Sequence, residues 1–379
     1  MTLSHLAGTI LGPPGQWRFV RAVVLTFAIA AIARLLPLPR RRAAGARRRA
    51  RPRAAVPVTV TAAIMLAAAG CAYDITHHGS PGQTPQATIG TIASPAVASQ
   101  ASARAAAAAA NAPKVGVFEP SATASYRLVE EFMTATGTRP GFVLYYSGWN
   151  DPFQIRFAGW AHAAGAVPFA QMEPNGVALA SIASGHSDGY LRSFANAVRG
   201  YAHQVVLGFA PEMNGNWYTW SAGHTAPAVW VAAWRHVVEV FRQAQVRNVT
   251  WLWTVSSINA AGAPLRQWWP GASYVTWVGI DGYYYTPTAT FASVFGTTIS
   301  EIRRFTNVPI LISETAAGPS PKQAAQINGL FEGVRTHHLR GAVWFDMSQH
   351  AGPYHQDWRL EDNPAALAAF SKAARRRPA

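Results

Sequence analysis

The sequence predicts a (β/α)8 barrel in residues 113–371, and three observations lead to this prediction. Short apolar runs, each the length of one buried strand, recur eight times and are followed by loops of polar and aromatic residues. Helix-like patterns stand between these runs over roughly 265 residues, as a barrel of eight strand–helix units requires. The first run leads into Glu119-Pro120-Ser121. A doubly wound sheet would instead need a glycine-rich phosphate turn at that place.

The predicted elements alternate regularly along this region. Each apolar run is rich in aliphatic and aromatic residues, which is typical of a strand that is buried on both faces. The segments between them repeat apolar residues at spacings of three and four, as one face of a helix does. The strand runs are 114–118, 142–146, 167–172, 205–210, 249–254, 274–280, 309–313 and 341–345. The helical patterns are 121–136, 188–202, 226–245, 290–305 and 321–337.

Residues 1–71 are interpreted as a signal or membrane-anchor region. They contain two apolar stretches separated by an arginine-rich block, and the second stretch ends in L-A-A-A-G-C at Cys71. A basic region, an apolar core and small residues before a cysteine are typical of a secretory signal, here with features of a lipoprotein signal that is acylated on the cysteine. An uncleaved signal anchor with an unmodified cysteine is the alternative. Both interpretations predict an extracytoplasmic protein that is either membrane-anchored or secreted. The sequence leaves open whether residues 1–39 are a first membrane segment or an upstream start-site artefact.

Residues 72–112 and 372–379 are predicted to flank the barrel without a core of their own. The first is rich in Ala, Ser, Thr and Pro and nearly uncharged, so we interpret it as a disordered linker, and the second is a basic tail. The net charge of +15 lies in the flanks, because residues 1–53 hold 11 arginines and no acid. Acidic and basic residues balance in the barrel region, which excludes a nucleic-acid surface.

We expect the protein to be a monomer. The single cysteine excludes an intramolecular disulfide.

Candidate functional residues cluster where the predicted strands end. In a (β/α)8 barrel the loops after the strands carry the chemistry, and polar and aromatic residues at nearly every strand end indicate a carbohydrate cleft. The candidates in chain order are Glu119, Glu173, Glu212, Asn214, Trp217, Trp220, Trp253, Asp281, Tyr285, Glu314, Trp344 and Asp346.

Two of these acids fit the requirements of glycoside hydrolysis. The reaction needs one protonated carboxyl group for the leaving oxygen and one ionised carboxylate at the anomeric carbon. Glu212 and Glu314 end the predicted fourth and seventh strands, on opposite sides of a barrel mouth. Simpler structural roles remain open at this stage, namely a helix cap for Glu212 and an ion pair with an arginine for Glu314.

The segment G-F-A-P-E-M-N-G-N-W-Y-T-W around Glu212 resembles the acid/base motif of glycoside hydrolase family 26, which includes β-mannanases. M-E-P-N at 172–175, W-V-G-I-D-G-Y-Y at 277–284 and I-L-I-S-E-T at 310–315 stand in the order of the family. The resemblance implies a retaining, endo-acting glycosidase on a (β/α)8 barrel. In that enzyme Glu212 would be the general acid/base and Glu314 the nucleophile.

The resemblance also implies binding roles for four aromatic residues. Tyr285 is similar in place to a tyrosine that hydrogen-bonds the nucleophile, and Trp344 to a platform under the reacting sugar. Trp217 and Trp220 would line the neighbouring subsite. Pro211 departs from the family pattern, because characterised mannanases of the family carry a histidine there. Proline offers no donor to a sugar hydroxyl, so both β-mannan and a related β-glucan stay open as substrates.

The sequence indicates no cofactor and no metal. The 12 histidines form no H-E-x-x-H motif or close ligand cluster, and no phosphate loop, Ser-His-Asp order or redox motif is present. Two alternatives to the enzyme are a catalytically silent carbohydrate-binding protein on the same barrel and a cell-surface structural protein. Intact Glu212 and Glu314 argue against the first, and only the flanking segments support the second.

Overall fold

The computed structural model describes residues 113–348 and 357–375, which form a closed barrel of eight parallel strands. Each strand pairs with the next in sequence, and the eighth pairs with the first. The predicted fold class is therefore confirmed. In chain order the strands are β1 (Lys114–Phe118), β2 (Phe142–Gly148), β3 (Val167–Glu173), β4 (Val205–Phe209), β5 (Val249–Ser256), β6 (Trp277–Asp281), β7 (Ile310–Thr315) and β8 (Gly341–Phe345).

Helices surround the barrel; the five predicted helical patterns each contain a helix, while the helices at Ile155–Ala163, Leu179–Ala183 and Pro364–Ala374 were not predicted. A π-helical turn at Ala292–Gly296 leads into the sixth helix, so the predicted helix 290–305 is divided in two. The helices are α1 (Arg127–Thr136), α2 (Ile155–Ala163), α3 (Leu179–Ala183), α4 (Asp188–Tyr201), α5 (Pro227–Gln243), α6 (Thr297–Arg303), α7 (Gln323–Thr336) and α8 (Pro364–Ala374). Short 3₁₀ turns lie at Leu265–Trp268 and Ala272–Tyr274.

Local residue choices set several helix ends. α1 stops at Gly137, which adopts a left-handed conformation (φ 59°) that glycine reaches without steric cost. α5 begins with Pro227 in its first turn, where the missing N–H costs nothing. α8 is capped by Asn363, whose side chain accepts hydrogen bonds from the N–H groups of Ala365 and Ala366.

The barrel interior is filled by side chains from alternate strand positions. They form one apolar layer that is buried almost completely, and small residues stand where a larger side chain enters from a neighbouring strand. At Gly208 a Cβ atom would lie 1.8 Å from Oε1 of Gln171, so only glycine fits beside that side chain. The layer consists of Phe142, Leu144, Phe169, Val206, Leu252, Leu311 and Val343.

The intervening strand residues point outward and build a second, larger core against the helices. On β8, Val343 faces the interior layer while Trp344 packs among the outer residues. On β5, Leu252 and Trp253 divide in the same way. Side-chain direction therefore follows the period-2 alternation of strands, and this alternation decides which residues can reach the cleft.

The predictions for residues 1–112, including the lipid anchor at Cys71, lie outside the described residues. Within the described ranges, no helix combines the length and apolar character that a membrane span needs.

Candidate active site

Four carboxyl side chains converge at the carboxyl ends of the strands. Glu173 ends β3, Glu212 follows β4, Asp281 ends β6, and Glu314 lies near the end of β7. Three are buried and Glu212 is half-buried. The charges of these groups act on one another, since Glu314 raises the pKa of each of the other three. The acids from separate sequence motifs therefore meet in a single site.

The backbone around Glu212 is held in a conformation that residues other than glycine rarely adopt. Ala210 (φ 45°) and Glu212 (φ 54°) both lie in the left-handed region, on either side of Pro211. Two indole N–H groups fix this turn: Trp230 donates to the carbonyl of Ala210 at 3.2 Å, and Trp220 donates to that of Pro211 at 2.8 Å. Such strain persists only where the surroundings enforce it, and it is concentrated at functional sites.

The carboxyl group of Glu212 has two hydrogen-bond donors and an electrostatic neighbour. Nε1 of Trp217 donates to its Oε2 at 2.9 Å, and the hydroxyl of Ser256 also bonds it. Burial, reinforced by the negative charge of Glu314, raises the pKa of Glu212 to about 8, although the two donors act in the opposite direction. Glu212 therefore keeps its proton at neutral pH, as a general acid must.

Glu314 is brought into the site by a break in the strand register. Ser313 faces the interior, where its hydroxyl donates to Asp281 at 2.5 Å, so strict alternation would send Glu314 outward. The pairing between β6 and β7 shifts instead, from Ile280 opposite Ile312 to Asp281 opposite Glu314. This β-bulge turns the carboxylate back towards the barrel axis.

Two tyrosine hydroxyls donate to the carboxylate of Glu314, one to each oxygen. Tyr146 donates to Oε1, and Tyr283 donates to Oε2 at 2.7 Å. Burial raises the pKa of Glu314 to about 7, and the two donors oppose that rise because they stabilise the ionised form. The two phenol donors thus favour the ionised form of Glu314, which is the form that a nucleophile needs in double displacement.

The structure corrects the prediction for Tyr285. This half-buried residue packs against Tyr283, with ring centroids 5.7 Å apart, and it is Tyr283 that bonds the carboxylate of Glu314. Tyr283 itself is stacked on Trp358 at 4.4 Å. The bond to the proposed nucleophile is therefore made by Tyr283, while substrate binding by Tyr285 stays a prediction.

Trp344 and Trp253 do not face the cleft, contrary to prediction. Trp344 is 1% exposed, packs against Phe370 of α8, and donates its N–H to the carbonyl of Trp358. Trp253 is fully buried against Trp269 on the outer side of β5. Both residues occupy outward positions in the strand alternation, so neither can lie under a sugar ring.

Trp217 and Trp220 are close in sequence but have different environments. Trp217 is half-buried beside Glu212, where it can meet a ligand as well as the carboxylate. Trp220 is 1% exposed beneath Tyr218, on which it is stacked at 4.4 Å. The predicted subsite role therefore fits Trp217, whereas Trp220 supports the turn before Glu212, so its predicted role is corrected.

Asn214 and Asp346 also bind the protein itself rather than an open cleft. The fully buried amide of Asn214 forms two 2.8 Å bonds with the backbone N–H and carbonyl of Ser256, which join the loop after β4 to the end of β5. Asp346 accepts a hydrogen bond from the N–H of Leu360 at 3.0 Å and pairs with Glu119. Both predictions of a direct substrate contact are corrected accordingly.

Glu173 and Asp281 complete the acidic site. Glu173 is 5% exposed and accepts a 3.1 Å bond from Asn175, while burial raises its pKa to about 7. Asp281 is 1% exposed below Glu314, and burial raises its pKa well above the ordinary value. In the part of the chain that the structure describes, no three His, Cys, Asp or Glu side chains form a group that could hold a metal ion.

Sequence reasoning missed Tyr146, Tyr283 and Ser256. The alternation of Phe142, Leu144 and Tyr146 along β2 carried a usable signal, because it directs all three side chains into the barrel. No comparable local pattern identifies Ser256, whose role depends on the loop after β4.

The chemistry open to two such coupled carboxyls beside aromatic side chains includes the cleavage of an acetal, which is the reaction that glycoside hydrolases catalyse. Residues 191–359 match the family model described as glycosyl hydrolase family 26. This match extends from α4 through the loop after β8, and it confirms the family resemblance that the motifs indicated.

A curated relative and several solved structures are similar to this chain. Endoglucanase H of Acetivibrio thermocellus is 28% identical over 280 residues, which are 69% of this chain but only 30% of that protein. The catalytic domain of a family 26 endo-β-1,4-mannanase from Bacillus sp. JAMB-750 superposes with a TM-score of 0.54 at 15% identity, covering 69% of this chain and 85% of that chain. A double mutant of an endo-β-1,4-mannanase from Cellulomonas fimi gives 0.53 at 15% identity, with 70% and 71% covered. At these identities the structural matches support the fold.

Proposed function

We propose that the barrel is a retaining, endo-acting glycoside hydrolase that cleaves a β-linked polysaccharide by double displacement. The observation that carries this proposal is the electrostatic coupling of Glu212, which follows β4, and Glu314, which lies near the end of β7, each with its own set of hydrogen-bond donors. Glu212 serves as general acid/base and Glu314 as nucleophile. The hydrogen bonds that Tyr146 and Tyr283 donate to Glu314 favour its ionised form and support this division of roles.

In the first step an oxygen of Glu314 attacks the anomeric carbon, and the bond from that carbon to the glycosidic oxygen breaks. Glu212 transfers its proton to the departing oxygen, so the leaving sugar ends with a free hydroxyl. The products are a glycosyl ester on Glu314 and an ionised Glu212. Loss of the negative charge on Glu314 stabilises the new charge on Glu212, because the two groups repel while both are ionised.

In the second step Glu212 removes a proton from water, and the resulting oxygen attacks the same anomeric carbon. The ester bond breaks, Glu314 regains its charge, and Glu212 regains its proton. One water molecule is consumed in the complete cycle. Two inversions at the carbon give a product with the configuration of the substrate.

We propose β-mannan or a related β-glucan as the substrate. The resemblance to mannanases and to an endoglucanase supports both polymers. Pro211 has no N–H, and its carbonyl is engaged by Trp220, so this position offers a sugar hydroxyl neither a side-chain nor a free backbone partner. A contact available to mannanases through histidine is lost here, which leaves glucan as an equal candidate.

Polysaccharide digestion with the purified protein tests the proposal. Mannan, glucomannan and barley β-glucan are incubated separately, reducing ends are counted, and viscosity is followed in parallel. An endo enzyme lowers viscosity early, and proton NMR of the first products should show the β-anomer. Initial release of the α-anomer would contradict a retaining mechanism. Binding to one glycan without any release would favour the silent binding protein instead.

We further propose that the barrel works outside the cytoplasm, attached through residues 1–71 or released from them. The apolar and basic pattern before Cys71 supports this location. Mass spectrometry of the mature N-terminus tests it, since acylated Cys71 at the first position would identify a lipoprotein, and an intact residue 1 would contradict cleavage.

A further inference from the structure

Tyr146 contacts the proposed nucleophile from a strand that no motif connects with it. Its hydroxyl donates to Oε1 of Glu314 although the two residues are 168 positions apart in the sequence. Tyr146 lies on β2 and Glu314 on β7, so the hydrogen bond crosses the mouth of the barrel. The family motifs around Glu212 and Glu314 do not include β2.

The ring of Tyr146 is held from the interior side. It continues the inward alternation of Phe142 and Leu144, and it packs edge-to-face on Phe118 with centroids 5.4 Å apart. Phe345 flanks it at 6.5 Å. A phenol fixed in this way has little freedom to follow a moving carboxylate, so it defines where Oε1 stands.

Tyr146 also remains protonated throughout any catalytic cycle at neutral pH. Burial raises the pKa of its hydroxyl well above the ordinary value, and the negative charge of Glu314 adds to that rise. A group in this state is a permanent donor. It can stabilise negative charge on Oε1 but cannot act as an acid that gives up its proton.

We propose that Tyr146 is a positioning residue that anchors Oε1 of Glu314 towards the barrel interior and so leaves Oε2 to attack the substrate. This inference rests on the proposed role of Glu314 as nucleophile. Oε2 then forms the bond to the anomeric carbon and loses its charge, so its hydrogen bond from Tyr283 weakens. Oε1 becomes the carbonyl oxygen of the glycosyl ester and keeps its hydrogen bond from Tyr146.

The same contact assists the second step. When water attacks and the bond from Oε2 to the anomeric carbon breaks, negative charge returns to the carboxylate. A donor already in place on Oε1 stabilises that charge without reorganisation. Tyr146 should therefore affect formation and breakdown of the ester, whereas substrate binding should change little.

The test compares Tyr146→Phe with Tyr145→Phe. Both variants remove one buried hydroxyl from adjacent residues of β2, but Tyr145 faces outward and packs on Phe157 at 5.0 Å. We expect Tyr146→Phe to lower kcat by on the order of tenfold to a hundredfold with KM nearly unchanged. Tyr145→Phe should leave kcat near the wild-type value. Equal kcat in the two variants would overturn the proposal.

The pH profile separates positioning from a structural defect. Donation by Tyr146 lowers the pKa of Glu314, so its loss should move the acidic limb of kcat/KM upward by about 1 pH unit. A variant that is merely less well folded would lose activity at all pH values without moving that limb. Other titratable groups that interact with Glu314 are Glu173, Glu212, Tyr218, Asp281 and Tyr283, and both variants retain them.

A direct titration distinguishes failure of this inference from failure of the proposed function. In protein labelled with ¹³C at glutamate carboxyls, the Glu314 signal is identified by its absence in Glu314→Gln. Its pKa should rise in Tyr146→Phe and stay constant in Tyr145→Phe, whether or not any glycan is cleaved. If the wild type cleaves no glycan but the pKa of Glu314 still rises in Tyr146→Phe, the result contradicts the hydrolase and supports the positioning role of Tyr146. An unchanged titration in Tyr146→Phe refutes the anchor.

Discussion

Two pairs of carboxyl groups lie at the same end of this barrel and differ in what surrounds them. Glu212 and Glu314 receive hydrogen bonds from other side chains: an indole and a hydroxyl for the first, two phenols for the second. Glu119 and Asp346, just after β1 and β8, hydrogen-bond each other and are 6% and 4% exposed. Burial raises the pKa in all four cases.

Under the proposed function, the comparison implies that burial alone does not make a carboxyl reactive. Glu119 and Asp346 retain a proton between them because both are buried and they hydrogen-bond each other, and Asp346 also accepts a hydrogen bond from the backbone N–H of Leu360. Glu212 and Glu314 have hydrogen-bond donors that stabilise the ionised form of each carboxyl group. Because the two groups repel when both are ionised, either one can lose its proton when the other is neutral. The first pair links the ends of β1 and β8, which are neighbours in the barrel, and the second pair carries the proposed chemistry.

The largest expected effect is that of removing the nucleophile. Glu314→Ala should lower kcat/KM on the preferred polysaccharide by at least roughly 10³-fold, because no ester can form. Glu119→Gln, in the other carboxyl pair, is the matched control and should retain activity within a few-fold. A comparable loss in the two variants would contradict the division of roles between the pairs.

The next effect is that of removing the general acid/base. Glu212→Ala should reduce kcat by on the order of 10²–10⁴-fold on a polysaccharide, whose sugar leaving group needs a proton. Cleavage of a dinitrophenyl glycoside should suffer much less in its first step, because that leaving group departs without protonation. Pre-steady-state release of dinitrophenol measures this difference. An equal loss for both substrates would assign another role to Glu212.

A smaller effect is expected from the indole that bonds Glu212. Trp217→Phe removes a donor that lowers the pKa of the carboxyl, so the pKa should rise. Since the first step needs protonated Glu212, the alkaline limb of the kcat/KM profile should move to higher pH by about 0.5–1 unit. Trp220→Phe is the control, because it alters a buried ring beside the same loop without removing a donor to the carboxyl group of Glu212. The alkaline limb should not move in this variant. A downward movement of the limb in Trp217→Phe would refute the assignment.

The smallest effect concerns the stability of the Glu119–Asp346 pair. The pKa of Glu119 is raised in the folded state by burial and by Asp346, so the folded protein binds the proton more tightly than the unfolded chain. Stability should therefore be full below the unfolded pKa, about 4.5, and fall as pH rises above it. Glu119→Gln should flatten this decline and give a Tm higher than wild type by about 2–4 °C at pH 8. Parallel Tm curves for the two proteins from pH 5 to 8 would contradict the linkage.

Much of the fold followed from the sequence because barrel strands are buried on both faces and appear as continuous apolar runs. The bounds of β1 and β8 were predicted without error, and the barrel order followed from alternation with helices. Trp344 and Trp253 were assigned to the cleft because they stand near strand ends. The alternation within their own strands already pointed both residues outward, so those two errors could have been avoided.

The sequence by itself determined that a closed (β/α)8 barrel would form and that Glu212 and Glu314 would reach its mouth, since buried strands and strand-end acids are local patterns. The tertiary structure decided which atoms meet there. Glu314 faces inward because the pairing of β6 and β7 shifts by one residue, and no local period encodes that shift. Tyr146 bonds Glu314 across 168 positions, because closure of the barrel brings β2 and β7 to the same rim.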